Sequence, residues 1–297
     1  IALKNTLAAA KKEKIDAIVS VGPPHSSHLI GLKLSRRFNI PHIPVLIDPW
    51  VDIVYYKNLK RSTITKMVDN HFEKSVLQNA RQVVFVNKST EEDYEKKYSF
   101  LKGKSNVLYW GYDEEAFKDL KTDKIRKDEK IIVHAGNMFA YQNPKNFWKQ
   151  IKIENDKGNK IVIRFVGSVD KEILEYINSI GLKEKVQLMG FLPYQEMIKE
   201  ILQADMLLVC STEPRHVPGK LFEALRIGNP IIAFGNDNQE VKKIIKDANA
   251  GMMFRYDENG KEFLESLDKI KPDQNFVKKY DRAEISKEFS LILKKLF

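Results

Sequence analysis

Short runs of β-branched and other apolar residues alternate with segments of helical periodicity along almost the whole chain. DAIVSVG (16–22), HIPVLID (42–48), QVVFVN (82–87) and NVLYWG (106–111) read as strands, with SSHLIGLKLSRRF and a long segment near 61–80 as helices between them. A second series follows in KIIVHAG (130–136), IVIRFVG (161–167), KVQLMG (185–190), DMLLVC (205–210) and PIIAFG (230–235), each beside a helical segment. Strands without strict polar/apolar alternation, separated by helices of about 10–15 residues, predict βαβ units and parallel sheets covered on both faces, an α/β class. Between the two series AFKDLKTDKIRKDEK (116–130) has charge and no apolar period, and reads as a linker. The chain opens without Met on the helical stretch ALKNTLAAAKKEK, so it is expected to begin inside a domain.

Several strands of the second series end in glycine: Gly136, Gly167 and Gly190. Glycine there lets the backbone turn and approach a ligand at the carboxyl edge, where open α/β sheets bind ligands. The length, 297 residues, fits two domains, and 43% apolar with 30% charged residues is an ordinary globular composition. No apolar run approaches the ~18 residues of a membrane span, which points to a cytoplasmic protein. Cys210 lies inside an apolar strand and reads as a buried thiol, with neither a disulfide framework nor a thiolate metal site. The net charge of +10 is shared evenly between residues 1–120 and 121–297 and forms no tail. It admits an anionic membrane surface or a phosphorylated substrate. No basic stripe carries interleaved aromatics, which argues against nucleic acid.

The segment STEPRHVPGKLFEALRIGNPIIAFG (211–235) carries the chemistry. A polar loop follows a buried strand, enters a helix near Pro218 and leaves it at Gly228, positions that suit a first helical turn and a C′ residue. Free N–H groups at that start, with Arg215 and Lys220 beside them, make an anion site suited to a diphosphate. Glu223, three residues after Lys220, shares its face and can accept from two adjacent ribose hydroxyls. His25 in GPPHSS follows a strand end and starts a helix, as a hydrogen-bond partner or acid/base. Asp48 ends the next strand on the same side and can orient His25 or an acceptor hydroxyl. His28, one turn on, adds only a weak metal signal, and no metal is expected. Tyr109, Trp110 and Tyr112 read as packing residues.

PGKLFEALRIGNPIIA resembles the signature of GT-B glycosyltransferases of family 4, also called group 1. FVGSVDKEILEYINSIGLKEKVQLMGFLPYQEMIKEILQADMLLV, NVLYWGYDEEAF and GPPHSSHLIGLKLSRRF with PHIPVLIDPW extend the resemblance over most of the chain. It implies two Rossmann-like domains facing a cleft: an acceptor-side domain over 1–119 lacking its first βα units, a linker over 120–130, a donor-binding domain over 131–280, and a carboxyl-terminal helix over 281–297 crossing back. The implied activity is transfer of a sugar from a nucleoside diphosphate-sugar, with retention and without metal or other cofactor, to a glycan or lipid-linked acceptor. Such work belongs to cell-surface glycan assembly in the cytoplasm or at the inner face of the membrane, with peripheral contact to anionic lipid. RSTITKMVDNHFEKSVLQN is an amphipathic candidate for that contact.

The implied donor site comprises Gly136, Asn137, Gly167, Phe191, Pro193, Glu213, Arg215, Val217, Pro218, Gly219, Lys220, Leu221 and Glu223, with Phe191 and Pro193 bordering the nucleobase. His25 and Asp48 are the implied catalytic pair. Three positions depart from the family pattern. Arg215 stands where the first glutamate of E-x7-E is usual, Gln142 lies in a loop that often carries basic residues, and Ile47 replaces an arginine. These departures motivate an alternative, a non-catalytic homologue that partners an active transferase.

Overall fold

A computed structural model describes residues 5–6, 14–53, 59–118, 120, 128–211 and 213–297. Most of the helix expected over 2–14 and most of the linker expected over 120–130 lie outside them. The chain divides into two compact units, one of residues 1–109 with 286–297 and one of residues 110–285.

The first unit has a parallel sheet in the order β1 (Ile18–Gly22), β2 (His42–Leu46), β3 (Val83–Phe85), β4 (Ser105–Val107). Its helices are α1 (Ser26–Phe38), α2 (Thr63–Asn79) and α3 (Lys88–Lys97). One end of α1 and one of α2 have a sequence cause. Asn39 closes α1 in the left-handed region at φ 53°, and Ser62 caps α2 by accepting from the Thr65 N–H. The buried carboxylate of Glu73 on α2 ties these layers together. Its two oxygens accept from the Tyr94 and Tyr98 hydroxyls, the Lys97 ammonium and the Val51 N–H, all within 3.1 Å. A buried charge persists only when so fully paired. Residues 286–297 also belong here, with Ile292 packed on Ile43 and Val84.

The second unit has a six-stranded parallel sheet built from β5 (Lys130–Ala135), β6 (Ile161–Val166), β7 (Val186–Gly190), β8 (Met206–Cys210), β9 (Ile231–Phe234) and β10 (Gly251–Phe254). Its order is β10-β9-β8-β5-β6-β7. Renumbered within the unit this is 3-2-1-4-5-6, the order of a Rossmann sheet. Helices α4 (Lys145–Asp156), α5 (Lys171–Ser179), α6 (Tyr194–Leu202), α7 (Lys220–Ile227), α8 (Gln239–Asp247), α9 (Lys261–Glu265) and α10 (Gln274–Val277) accompany it. Helix α11 (Arg282–Lys294) runs from this unit into the first. Phe147, Trp148, Phe165, Phe234 and Phe263 fill one face of the core. Strand β8 is buried at all five positions, as its unbroken apolar run requires of a central strand. Residues 110–117 pack with this unit: the Tyr112 N–H donates to the Tyr280 carbonyl, and Arg226 grips the Glu114 carboxylate with two nitrogens.

The strand order reverses between β5 and β8, which are parallel neighbours while their connections leave to opposite sides of the sheet. Their carboxyl ends, followed by Gly136 and Ser211, therefore flank the switch point where such sheets open to a ligand.

Candidate functional site

At that switch point a cavity of about 290 Å³ is walled by β5, β8, α6 and α7, with Trp110, Tyr194, Met197, Lys220 and Glu223 among its lining. Helix α7 is set as its punctuation demands. Pro218 is buried just ahead of it, and Gly228 closes it at φ 78°. The Leu221 and Phe222 N–H groups bond back to the Pro218 and Gly219 carbonyls. The start of the helix therefore offers fewer free donors than its sequence suggests.

Lys220 reaches from α7 across the end of β5. A Cβ placed on Gly136 would lie 1.8 Å from its ammonium nitrogen, so only glycine leaves room, and φ +108° asks for glycine as well. Gly167, at φ +121°, packs in turn on the Gly136 carbonyl. No ion pair holds Lys220 among the described residues, and burial lowers its pKa, opposed by Glu223.

Glu223 accepts at Oε1 from the Tyr194 hydroxyl at 3.3 Å, while Oε2 is buried without a partner. Burial raises its pKa. Both side chains are thus biased toward neutrality by desolvation, three residues apart on one helix.

Other expected donor residues take different places. Phe191 is 84% exposed, and the exposed Pro193 caps α6. Neither lines the cavity, where the next helical residues Tyr194 and Met197 stand instead. Leu221 is fully buried and serves the core. Asn137 accepts from the Ser168 hydroxyl, joining the loops after β5 and β6. Arg215 lies 3.8 Å from Glu213, so the guanidinium and the carboxylate face each other outside the cavity lining. Val217 is half-buried beside them.

Sequence reasoning missed what holds this loop. Asn238, 2% exposed, sends its amide to the Ser211 hydroxyl and to the Glu213 and His216 carbonyls at 2.7–2.9 Å. Its position before the capped helix α8 was the only signal. Gln142 also gains a role: it accepts from the Phe139 N–H and donates to the Cys210 carbonyl, tying the β5 loop to the end of β8. Trp110, read as packing, is 48% exposed and lines the cavity beside Gly219.

In the first unit His25 is buried at the start of α1 and stacks on Trp50, ring centroids 5.2 Å apart and 10° from parallel. Trp50 is fixed by its N–H donating to the Tyr94 hydroxyl, itself bonded to Glu73. Burial lowers the His25 pKa, so the ring is neutral at pH 7. Ser20 Oγ lies 2.8 Å from His28 Nδ1 and 2.7 Å from His42 Nε2, so the hydroxyl can donate to one ring and accept from the other. Desolvation lowers these two histidines to about 3 and about 4. Asp48 is half-buried with its pKa raised by burial, and no hydrogen bond joins it to His25. No cluster of three or more metal-ligating side chains occurs among the described residues.

No curated protein sequence matches the chain significantly. Solved structures do. Sucrose-phosphate synthase from Thermosynechococcus elongatus aligns with TM-score 0.71 and 16% identity over 100% of this chain and 77% of that one. HepE of Anabaena in complex with UDP aligns with TM-score 0.76 and 13% identity over 99% and 82%. A glycosyltransferase from Rickettsia africae gives TM-score 0.73 and 15% identity over 99% and 80%. These likenesses establish the GT-B fold. A sequence model described as glycosyl transferases group 1 matches residues 113–287, which is more than half of the chain, and the protein belongs to that family.

Proposed function

We propose that this glycosyltransferase moves a hexose-type sugar from a nucleoside diphosphate donor to a glycan or lipid-linked acceptor, with retention and without a metal or other cofactor. The observation that carries the reading is the pair on α7: among the described residues, an ammonium without an ion-pair partner against the Gly136 turn, and a buried carboxylate oxygen without a donor. A nucleoside diphosphate supplies what each lacks, phosphate charge for Lys220 and ribose hydroxyls for Glu223. The structures of HepE with UDP and with UDP-glucose support a uridine nucleotide as the first donor to try.

As the bond from the anomeric carbon to the diphosphate breaks, negative charge grows on the leaving oxygen. Lys220 meets it from a fixed position against the Gly136 turn, which costs no reorganisation at the moment of reaction. The acceptor oxygen bonds to the anomeric carbon from the same face, and its proton passes to the departing phosphate. Gly136, Asn137 and Gly167 shape the backbone around the phosphates, and the loop with Glu213 and Arg215 is assigned to the sugar. His25, neutral and stacked, and Asp48 are assigned to the acceptor hydroxyl. A role in cell-surface glycan assembly at the inner face of the membrane agrees with the lipopolysaccharide outer core galactosyltransferase WaaB among the structural neighbours.

The test is calorimetric titration with UDP and other nucleoside diphosphates, followed by transfer from the matching sugar donor in the presence of a chelator. Binding in the micromolar range and release of nucleotide are expected. If no nucleoside diphosphate binds, the reading fails. Binding without any nucleotide release would favour the non-catalytic partner instead, a role suggested by Arg215, Gln142 and Ile47.

A further inference from the structure

One wall of the cavity beside α7 has no part in holding phosphates or ribose. Lys220 and Glu223 are assigned to those groups, and the Tyr194 hydroxyl is spent on Glu223. Leu207, Val209, Met197 and Ile201 line the cavity with apolar side chains. The remaining large side chain of the lining is Trp110, 48% exposed. The other two tryptophans are core residues, Trp50 at 6% and Trp148 at 0%. A singly exposed apolar residue is ordinary, but this one lines a concave site and is held in place.

Gly111 follows Trp110 at φ +66°, where an added Cβ would lie 2.4 Å from the Tyr280 carbonyl oxygen, so only glycine lets the chain turn there. The Tyr112 N–H donates to that same carbonyl, the Arg282 N–H to the Tyr112 carbonyl, and Arg282 Nε to the Trp110 carbonyl at 3.5 Å. The pyrrole edge of the indole meets the start of α7: a Cβ on Gly219 would lie 3.3 Å from Cδ1. Backbone and ring edge are thus fixed while the side chain stays half open. Gly219 lies four residues before Glu223, so the ring and the carboxylate meet the same face of α7. We infer that Trp110 is a further donor-binding residue, and that the nucleobase of the donor stacks on its indole. The inference rests on the nucleoside diphosphate reading above. A ribose whose hydroxyls reach Glu223 carries its base on the adjoining carbon, and an aromatic face beside it gains affinity whatever the base.

Intrinsic fluorescence of the full chain reads this residue directly, because the other tryptophans are buried. UDP is expected to quench wild-type emission and to shield it from acrylamide, with the dissociation constant found by calorimetry. Trp110→Leu is expected to abolish the quench and weaken UDP binding about 5–100-fold, while inorganic pyrophosphate, which has no base, binds as to wild type. Trp110→Phe keeps an aromatic face and is expected to bind UDP within about threefold of wild type. Both variants alter a half-exposed side chain, so an unchanged melting temperature is the control for folding. UDP that binds without changing the emission overturns the inference and leaves the transfer reading standing. So does a Trp110→Leu variant that binds UDP like wild type, or one that loses UDP and pyrophosphate alike. If no nucleoside diphosphate binds, both fail.

Discussion

Replacing Glu223 by Met should make the free protein more stable and nearly blind to its nucleotide. The carboxylate has one buried oxygen without a partner and one long bond from Tyr194 at 3.3 Å. Leaving a buried polar group unsatisfied costs roughly 1–3 kcal/mol, and the Tyr194 bond returns about 0.5–1.5 kcal/mol. Methionine is unbranched, suits a helix and removes both terms. A net gain of about 1 kcal/mol raises the melting temperature of a unit this size by about 2–4 °C. The binding side runs the other way. Two ribose hydroxyls donating to a carboxylate contribute about 1.5–3 kcal/mol each, so their loss weakens nucleoside diphosphate affinity about 100-fold or more.

The pH dependence has a definite sign. Burial raises the Glu223 pKa above the usual value near 4.5, so the folded protein holds this proton more tightly than the unfolded chain. Its contribution therefore falls as pH rises from below that value through the folded one. The stability gap between variant and wild type should be small in acid and open toward neutrality. Differential scanning calorimetry over that range, with and without UDP, reads both effects. A variant that melts lower than wild type and still binds UDP would refute the reasoning, because Glu223 would then be a structural residue with its partners already in place.

Lys220→Met should weaken UDP binding by about 10–100-fold, the loss of charged hydrogen bonds, while leaving uridine affinity unchanged; calorimetry with both ligands separates phosphate from ribose recognition. Asn238→Ala should raise the donor KM more than it lowers kcat and destabilise by about 2 kcal/mol, and Asn238→Asp should not rescue it, since a carboxylate faces the Glu213 and His216 carbonyls. Acid should destabilise the fold through its buried histidines: burial lowers His28 to about 3 and His42 and His134 to about 4, below their usual 6.5. The unfolded chain takes up these protons first, so stability is complete above that usual value and lost as pH falls toward about 4. A melting temperature flat across that window would contradict it.

The α/β class and most strands were legible because each is a local apolar run, and Gly136 and Gly228 were legible because a positive φ at an element's end is written in one residue. Strand β10 was not. Gly251–Phe254 is a short edge strand, half-buried at every position, and its apolar run is too brief to mark a strand. The loop latch of Asn238 and the Ser20–His28–His42 cluster join residues 8 to 27 positions apart, and such pairings leave no period in the chain. Phe191 and Pro193, expected to border the nucleobase, are exposed and lie outside the cavity lining. The loop that bears them points outward, and the helix that follows brings Tyr194 to the cavity.

The departure at Gln142 has a physical account. Its side chain is 3% exposed, bonded at both ends, and bridges the two strands that flank the switch point. A guanidinium in that place would be a buried charge without an acid beside it, at a cost of several kcal/mol. Arg215 meanwhile faces Glu213. Cationic recognition in the cavity therefore rests on Lys220, whose pKa burial lowers, while burial raises that of Glu223 three residues on. A diphosphate restores the ammonium and a pair of hydroxyls restores the carboxylate. A ligand with anionic charge at one end and adjacent hydroxyl donors at the other relieves both penalties at once, whereas an inorganic phosphate or a free sugar relieves only one.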